Sequence, residues 1–207
     1  HLAHCHEDFA GATRLMEAAR DCFRTEGNRF ATASCINDLG DLLRHQGKLS
    51  DSEKLYREAL AMFQSIGAAN ASTAHCNLGY LLVAHGRHNE AERIFRGLLD
   101  SSLLEERQVD MLWILCGLLV CVAANKAWGE WDSLQQRITA LVDSGLVDED
   151  LASATRLAAG LARRAGHYER ARWAYRYALH HYERMDKPQE SQTVRDLLTD
   201  LGDFPTR

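Results

Sequence analysis

The chain has 207 residues, a formal net charge of −5, 46% apolar residues and 26% charged ones. That is enough apolar material for a substantial core. The acidic balance excludes a general nucleic-acid binder, whose footprint is a basic excess. Only Pro188 and Pro205 interrupt a composition rich in Ala, Leu, Arg and Glu, which favours helix almost throughout.

The first segment, residues 1–28, reads as the tail of one helix around Leu2 and Ala3, with a second helix starting near Asp8. His1, His4, Cys5 and His6 crowd together here, but no second ligand group at zinc-site spacing accompanies them, so no metal site is expected. Residues 30–66 form a clearer unit. Ile36, Leu39, Leu42 and Leu43 recur at helical spacing and give one apolar face. Gly47 suits the left-handed conformation that ends a helix. Ser50 or Asp51 is placed to cap the next helix, whose apolar face is Leu55, Ala59, Leu60 and Phe63.

Residues 70–101 repeat that unit 39 positions later. Leu39-Gly40-Asp41-Leu42-Leu43 aligns with Leu78-Gly79-Tyr80-Leu81-Leu82, Gly47 with Gly86, Glu53 with Glu92 and Tyr56 with Phe95. The first segment aligns at an offset of 40, with Leu15 on Leu55, Ala19 on Ala59, Phe23 on Phe63 and Gly27 on Gly67. Gly40 and Gly79 lie inside helices, where glycine costs about 1 kcal/mol against alanine. Its recurrence at one register implies that a partner helix approaches closely there.

Two further units are more degenerate. Residues 107–144 place Gly129-Glu130-Trp131 where Gly86-Arg87-His88 stands, behind a first helix that reads as lengthened. Their apolar run from Met111 to Ala124 is too short to span a membrane, which takes about 20 residues. Residues 150–186 repeat the pattern through Gly166-His167-Tyr168-Glu169-Arg170-Ala171, Tyr175 and Ala178. Between Arg156 and Arg184 this unit holds seven arginines interleaved with Trp173, Tyr175, Tyr177 and Tyr182. Arginine with aromatics can bind nucleic acid or an acidic peptide; the expectation is that the aromatics pack inward and the arginines coat the outside, with an acidic protein partner as the next choice. Pro188 suits a first helical turn, and Val194, Leu197, Leu198 and Leu201 form the stripe of a single capping helix over 188–202. The array is expected to end there, as the C-terminal piece of a longer protein.

Other groups receive ordinary readings. Cys5, Cys22, Cys35, Cys76, Cys116 and Cys121 contain no CxxC pair and sit mostly among apolar neighbours, which suits small thiols in a reducing, cytoplasmic compartment. His85, His88, His180 and His181 are expected on the solvated surface. The acids Glu105, Glu106 and Asp148-Glu149-Asp150 fall in linkers, where helix capping accounts for them. No GxSxG, P-loop or GxGxxG occurs, so neither an enzyme nor a cofactor is expected.

Leu-Gly on a first helix, then Ala, an aromatic and Ala on a second, resembles the tetratricopeptide repeat family. Here the pattern stands as Leu78-Gly79, Leu82, Ala91 and Phe95; as Leu39-Gly40, Leu43, Ser52, Tyr56 and Ala59; and as Ala171, Tyr175 and Ala178. The signature tryptophan and closing proline are absent, and the period is near 40 rather than the usual 34. The resemblance implies an all-α, right-handed superhelical solenoid of antiparallel helix hairpins forming one repeat domain over residues 1–207. It also implies a concave groove, lined by first helices, that takes a peptide or partner domain. By register, Ser34, Asn37, Asp41 and Arg44 face that groove, followed by Thr73, Cys76, Tyr80 and Val83, then Trp113, then Arg156, Gly160 and Arg163. Asp41 and the lack of groove lysines argue against a terminal-carboxylate clamp. The expected role is a non-catalytic scaffold for a protein or peptide, as the C-terminal module of a bacterial signalling or regulatory protein. The alternative is a peptide sensor whose ligand changes the superhelix. Neither nucleic acid nor a membrane is an expected partner, and no cofactor is required.

Overall fold

The computed structural model describes residues 2–68, 71–100, 108–141 and 146–202, with side chains from residue 9 onward except those of 108 and 109. Among these residues ten helices and no strand occur: α1 (Leu2–Thr25), α2 (Arg29–His45), α3 (Leu49–Ser65), α4 (Ala71–Ala84), α5 (His88–Leu99), α6 (Gln108–Ala124), α7 (Trp128–Leu141), α8 (Glu149–Arg164), α9 (Tyr168–Arg184) and α10 (Pro188–Asp200). The expected break near Asp8 is absent, since α1 runs unbroken through it. Nor is α6 lengthened: it has 17 residues, as does α2. The chain divides into two compact units, His1–His85 and Gly86–Arg207.

One backbone device closes the hairpins. After α1, α2, α3, α4 and α8 a glycine turns left-handed, with φ between 64° and 82° at Gly27, Gly47, Gly67, Gly86 and Gly166. At Gly47 its N–H bonds to the Arg44 carbonyl and the next N–H, of Lys48, bonds to that of Leu43, capping carbonyls that a helix end leaves open. Lys126 (φ 58°) and Asp186 (φ 53°) hold the same position after α6 and α9, although their side chains disfavour it. Neither Ser50 nor Asp51 caps α3. Lys48 occupies the cap position without a side-chain bond, so Asp51 falls in the first turn and pairs with Lys54 at 2.8 Å.

In the first unit α2 packs against α1 and α3, and α3 against α4. Its core is Ala33, Ile36, Ala59, Phe63 and Ala74, flanked by Leu55, Leu60 and Met62. Tyr56 packs against Gly40: a Cβ on that glycine would sit 2.7 Å from the ring. The interior glycine thus admits the aromatic of the following helix. Ser52, which replaces the family's small apolar residue, is fully buried and donates to the Gly40 carbonyl at 2.7 Å.

In the second unit α6 is contacted by α5, α7 and α8. Three neighbours explain why it is apolar on all sides, with Leu112 and every residue from Ile114 to Val122 except Gly117 no more than 1% exposed in side-chain-bearing positions. Among the described residues no helix is long and apolar enough to cross a membrane. Gly117 receives the Phe95 ring from α5 as Gly40 receives Tyr56. At the far end α10 packs on α9 and buries Ser191, Val194 and Leu201.

Candidate interaction surface

The first unit carries a polar network where α2, α3 and α4 meet. Tyr56, fully buried on α3, donates its hydroxyl to Asp41 Oδ1 at 2.5 Å. Arg44 Nε donates to the same hydroxyl at 3.3 Å, and its terminal nitrogen lies 3.6 Å from Asp41. Asn77 on α4 donates to Asn37 at 3.2 Å and to the other Asp41 oxygen at 3.3 Å. Burial raises the Tyr56 phenol well above its ordinary pKa, and the Asp41 charge adds to that. The hydroxyl therefore stays protonated and acts as a donor. Asp41 and Arg44 remain partly exposed at the edge of this network.

The residues expected on the first-helix face thus differ in what they present. Ser34 and Thr73 are half-buried, and Ser34 donates back to the Phe30 carbonyl at 3.2 Å. Asn37, Cys76, Tyr80 and Val83 are buried, at 6–8% exposure, which leaves them little surface for a ligand. Asn77 joins the network without having been singled out. It shares the register of Asp38, one position beyond Asn37, and only the packing of α4 on α3 brings its amide to Asp41.

In the second unit Trp113 is half-buried on α6, and its indole N–H counters the rise that burial imposes on the Asp148 carboxyl. Asp148 caps α8 by accepting from the backbone N–H of Asp150 at 2.8 Å and Leu151 at 3.1 Å, the role expected of that acidic run. On α8 Arg156 and Arg164 are exposed and Arg163 is half-buried, 3.8 Å from Asp200. On α9 the aromatics turn inward as expected: Tyr175, Tyr177 and Tyr182 are buried. Two of the outer arginines tie helices together. Arg170 makes a bidentate pair with Asp132 at 2.9 and 3.0 Å, and Arg172 bonds to Glu169 and to the Leu201 carbonyl.

His181 departs from expectation. It is 2% exposed rather than solvated, because it follows Ala174, Tyr177 and Ala178 on the inward face of α9. Its Nδ1 accepts from the Asp148 backbone N–H at 3.2 Å, which places the ring proton on Nε2. Burial, with help from His180 and Arg184, lowers its pKa to about 4. His85 and His180 are exposed and His88 is half-buried. Four cysteines (35, 76, 116 and 121) are buried and Cys22 is exposed. Among the described residues no cluster of His, Cys, Asp and Glu could hold a metal, and the side chains of His1, His4, Cys5 and His6 lie outside those described.

Paired helices with glycine-closed turns, aromatic-on-glycine packing and a polar first-helix face define a helical-hairpin repeat protein. The comparisons agree. Residues 1–65 match the family model described as Tetratricopeptide repeat. In fold it is similar to the crystal structure of BtubC (BKLC) from P. vanneervenii, with a TM-score of 0.60 and 17% identity over 98% of this chain and 94% of that one. No curated protein matches the chain in sequence. Tetratricopeptide repeats serve in general as scaffolds for protein–protein interaction.

Proposed function

We propose that the chain is a non-catalytic scaffold that binds a peptide or partner domain on the first-helix face of its units. It would serve as an interaction module of a larger cytoplasmic regulatory protein. The observation that carries this reading is the partial exposure of charged side chains on the first helices. Several on second helices make internal pairs, such as Arg170 with Asp132. Those on first helices, among them Asp41, Arg44, Arg156 and Arg163, reach partly exposed positions. A face with carboxylate, guanidinium and hydroxyl groups suits an internal peptide segment, recognised by side-chain pairing, better than a purely apolar ligand.

The test is a partner isolated with the wild-type chain and then titrated against purified variants. Ser34→Arg with Thr73→Arg, which adds bulk to the first-helix face, should weaken binding at least tenfold. Arg176→Ala with Arg184→Ala, on the exposed side of α9, should leave it unchanged. The reverse pattern would sink the proposal.

A further inference from the structure

Two hairpins of the chain can be compared position by position. Counted from the turn glycines Gly47 and Gly166, Tyr175 stands where Tyr56 does, Arg163 where Arg44 does, Arg156 where Asn37 does, and Gly160 where Asp41 does. In the earlier hairpin a carboxylate sits between the phenol and the guanidinium, with Tyr56 donating to Asp41 and Arg44 beside both. In the later hairpin that carboxylate is missing, but the groups that would receive it are retained.

The geometry leaves room for a replacement. A Cβ on Gly160 would lie 3.7 Å from the Tyr175 hydroxyl and 3.6 Å from an Arg164 terminal nitrogen, ordinary contact distances. Tyr175 is only 2% exposed, so what it can offer a ligand is its hydroxyl end, which faces the place beside Gly160 where an acidic side chain would begin. Among the described residues no group accepts a hydrogen bond from Tyr175, and neither Arg156 nor Arg164 has a carboxylate within ion-pair distance. Arg163 has only Asp200, at 3.8 Å and exposed. Burial is the main influence on the Tyr175 phenol and raises its pKa, while Arg163, Arg156 and Arg164 oppose the rise, so all three cations bear on one hydroxyl.

We propose that this site beside Gly160 binds a glutamate or aspartate side chain of an acidic peptide segment, which supplies from outside the carboxylate that Asp41 supplies internally in the earlier hairpin. The inference rests on the scaffold reading and deepens it by naming the ligand's chemistry. The Arg164 guanidinium and the Tyr175 phenol, both within 4 Å of one point, suit a carboxylate, and a charge-assisted bond is roughly twice as strong as a neutral one.

The experiment uses the full chain and a fluorescein-labelled ten-residue peptide of alternating glutamate and glycine, followed by anisotropy, with the glutamine counterpart as control. The glutamate peptide should bind and the glutamine peptide should not. Tyr175→Phe, which changes no charge, should weaken binding about fivefold to tenfold. Gly160→Asp should abolish binding and raise the melting temperature, because the missing carboxylate is restored within the chain. Gly160→Ala should leave binding within twofold. Unchanged affinity in both Tyr175→Phe and Gly160→Asp would overturn the proposal, as would no binding of the glutamate peptide. A phosphoserine peptide or a single-stranded RNA that bound more tightly with the same variant pattern would overturn the carboxylate assignment. A partner that is displaced by Ser34→Arg with Thr73→Arg but indifferent to Gly160→Asp would retain the scaffold reading and sink this one.

Discussion

Replacing Gly117 with alanine isolates the packing that shapes the second unit. A Cβ there would lie 2.6 and 2.8 Å from two Phe95 ring carbons and closer still to a third. The best separation for carbon pairs is about 3.5–4.0 Å, so the overlap is about 1 Å. Phe95 is fully buried and cannot swing aside into solvent. Overpacking of this kind costs about 1–3 kcal/mol, and the upper end applies where the neighbour is confined. Alanine recovers about 1 kcal/mol of helix propensity. The net expectation is destabilisation by about 1–2 kcal/mol, taking the upper part of that cost range. Urea unfolding followed by far-ultraviolet circular dichroism measures it. Gly97→Ala on α5 is the matched control: it is exposed, and a Cβ there meets nothing within 4 Å, so it should gain about 0.5–1 kcal/mol. Phe95→Leu in the Gly117→Ala background should show coupling of at least about 1 kcal/mol, as touching residues do. A Gly117→Ala chain as stable as wild type would refute the reasoning.

Three further outcomes are expected. His181 is held neutral, with its pKa lowered to about 4, whereas an unfolded histidine titrates near 6.5. The unfolded state therefore binds the proton more tightly, and stability present above pH 6.5 is lost as pH falls toward 4, by about 2 kcal/mol at pH 5. His181→Gln, which can keep an acceptor for the Asp148 N–H, should flatten that part of the profile in thermal melts; an unchanged slope would refute the assignment. Asp186→Gly should raise the melting temperature by relieving a left-handed backbone worth about 1 kcal/mol, and Lys126→Gly should do the same. Tyr56→Phe should cost about 1–2 kcal/mol in urea unfolding, because Asp41 loses a buried donor.

Much of this architecture was legible because glycine and aromatic positions carry geometric information. Gly40 at a costly interior site announced a close approach, and the Tyr56 ring supplies it. Gly47 and Gly166 announced left-handed turns, and both adopt them. Lys126 and Asp186 could not be read in that way, since nothing in their chemistry asks for a positive φ. The interaction surface was less legible. Helical register places Asn37, Asp41 and Arg44 on one face, but register does not say which side chains are already partnered. The Asn77 amide and the Tyr56 hydroxyl reach Asp41 only through tertiary packing. His181 was misjudged for a related reason: next to His180 it reads as a polar pair, yet successive helical residues are about 100° apart and only one of the two faces outward.

The burial of α6 on every side has a chemical consequence. It carries Cys116 and Cys121, both fully inaccessible, and burial pushes the Cys121 thiol up to about 12. A thiol attacks as thiolate, so neither can react with an alkylating reagent until the helix leaves its neighbours. Cys22 on α1 is exposed and supplies a fast reference in the same chain. The delay between modification of Cys22 and that of Cys116 and Cys121, located by peptide mass mapping, would report how often the second unit opens with no denaturant present.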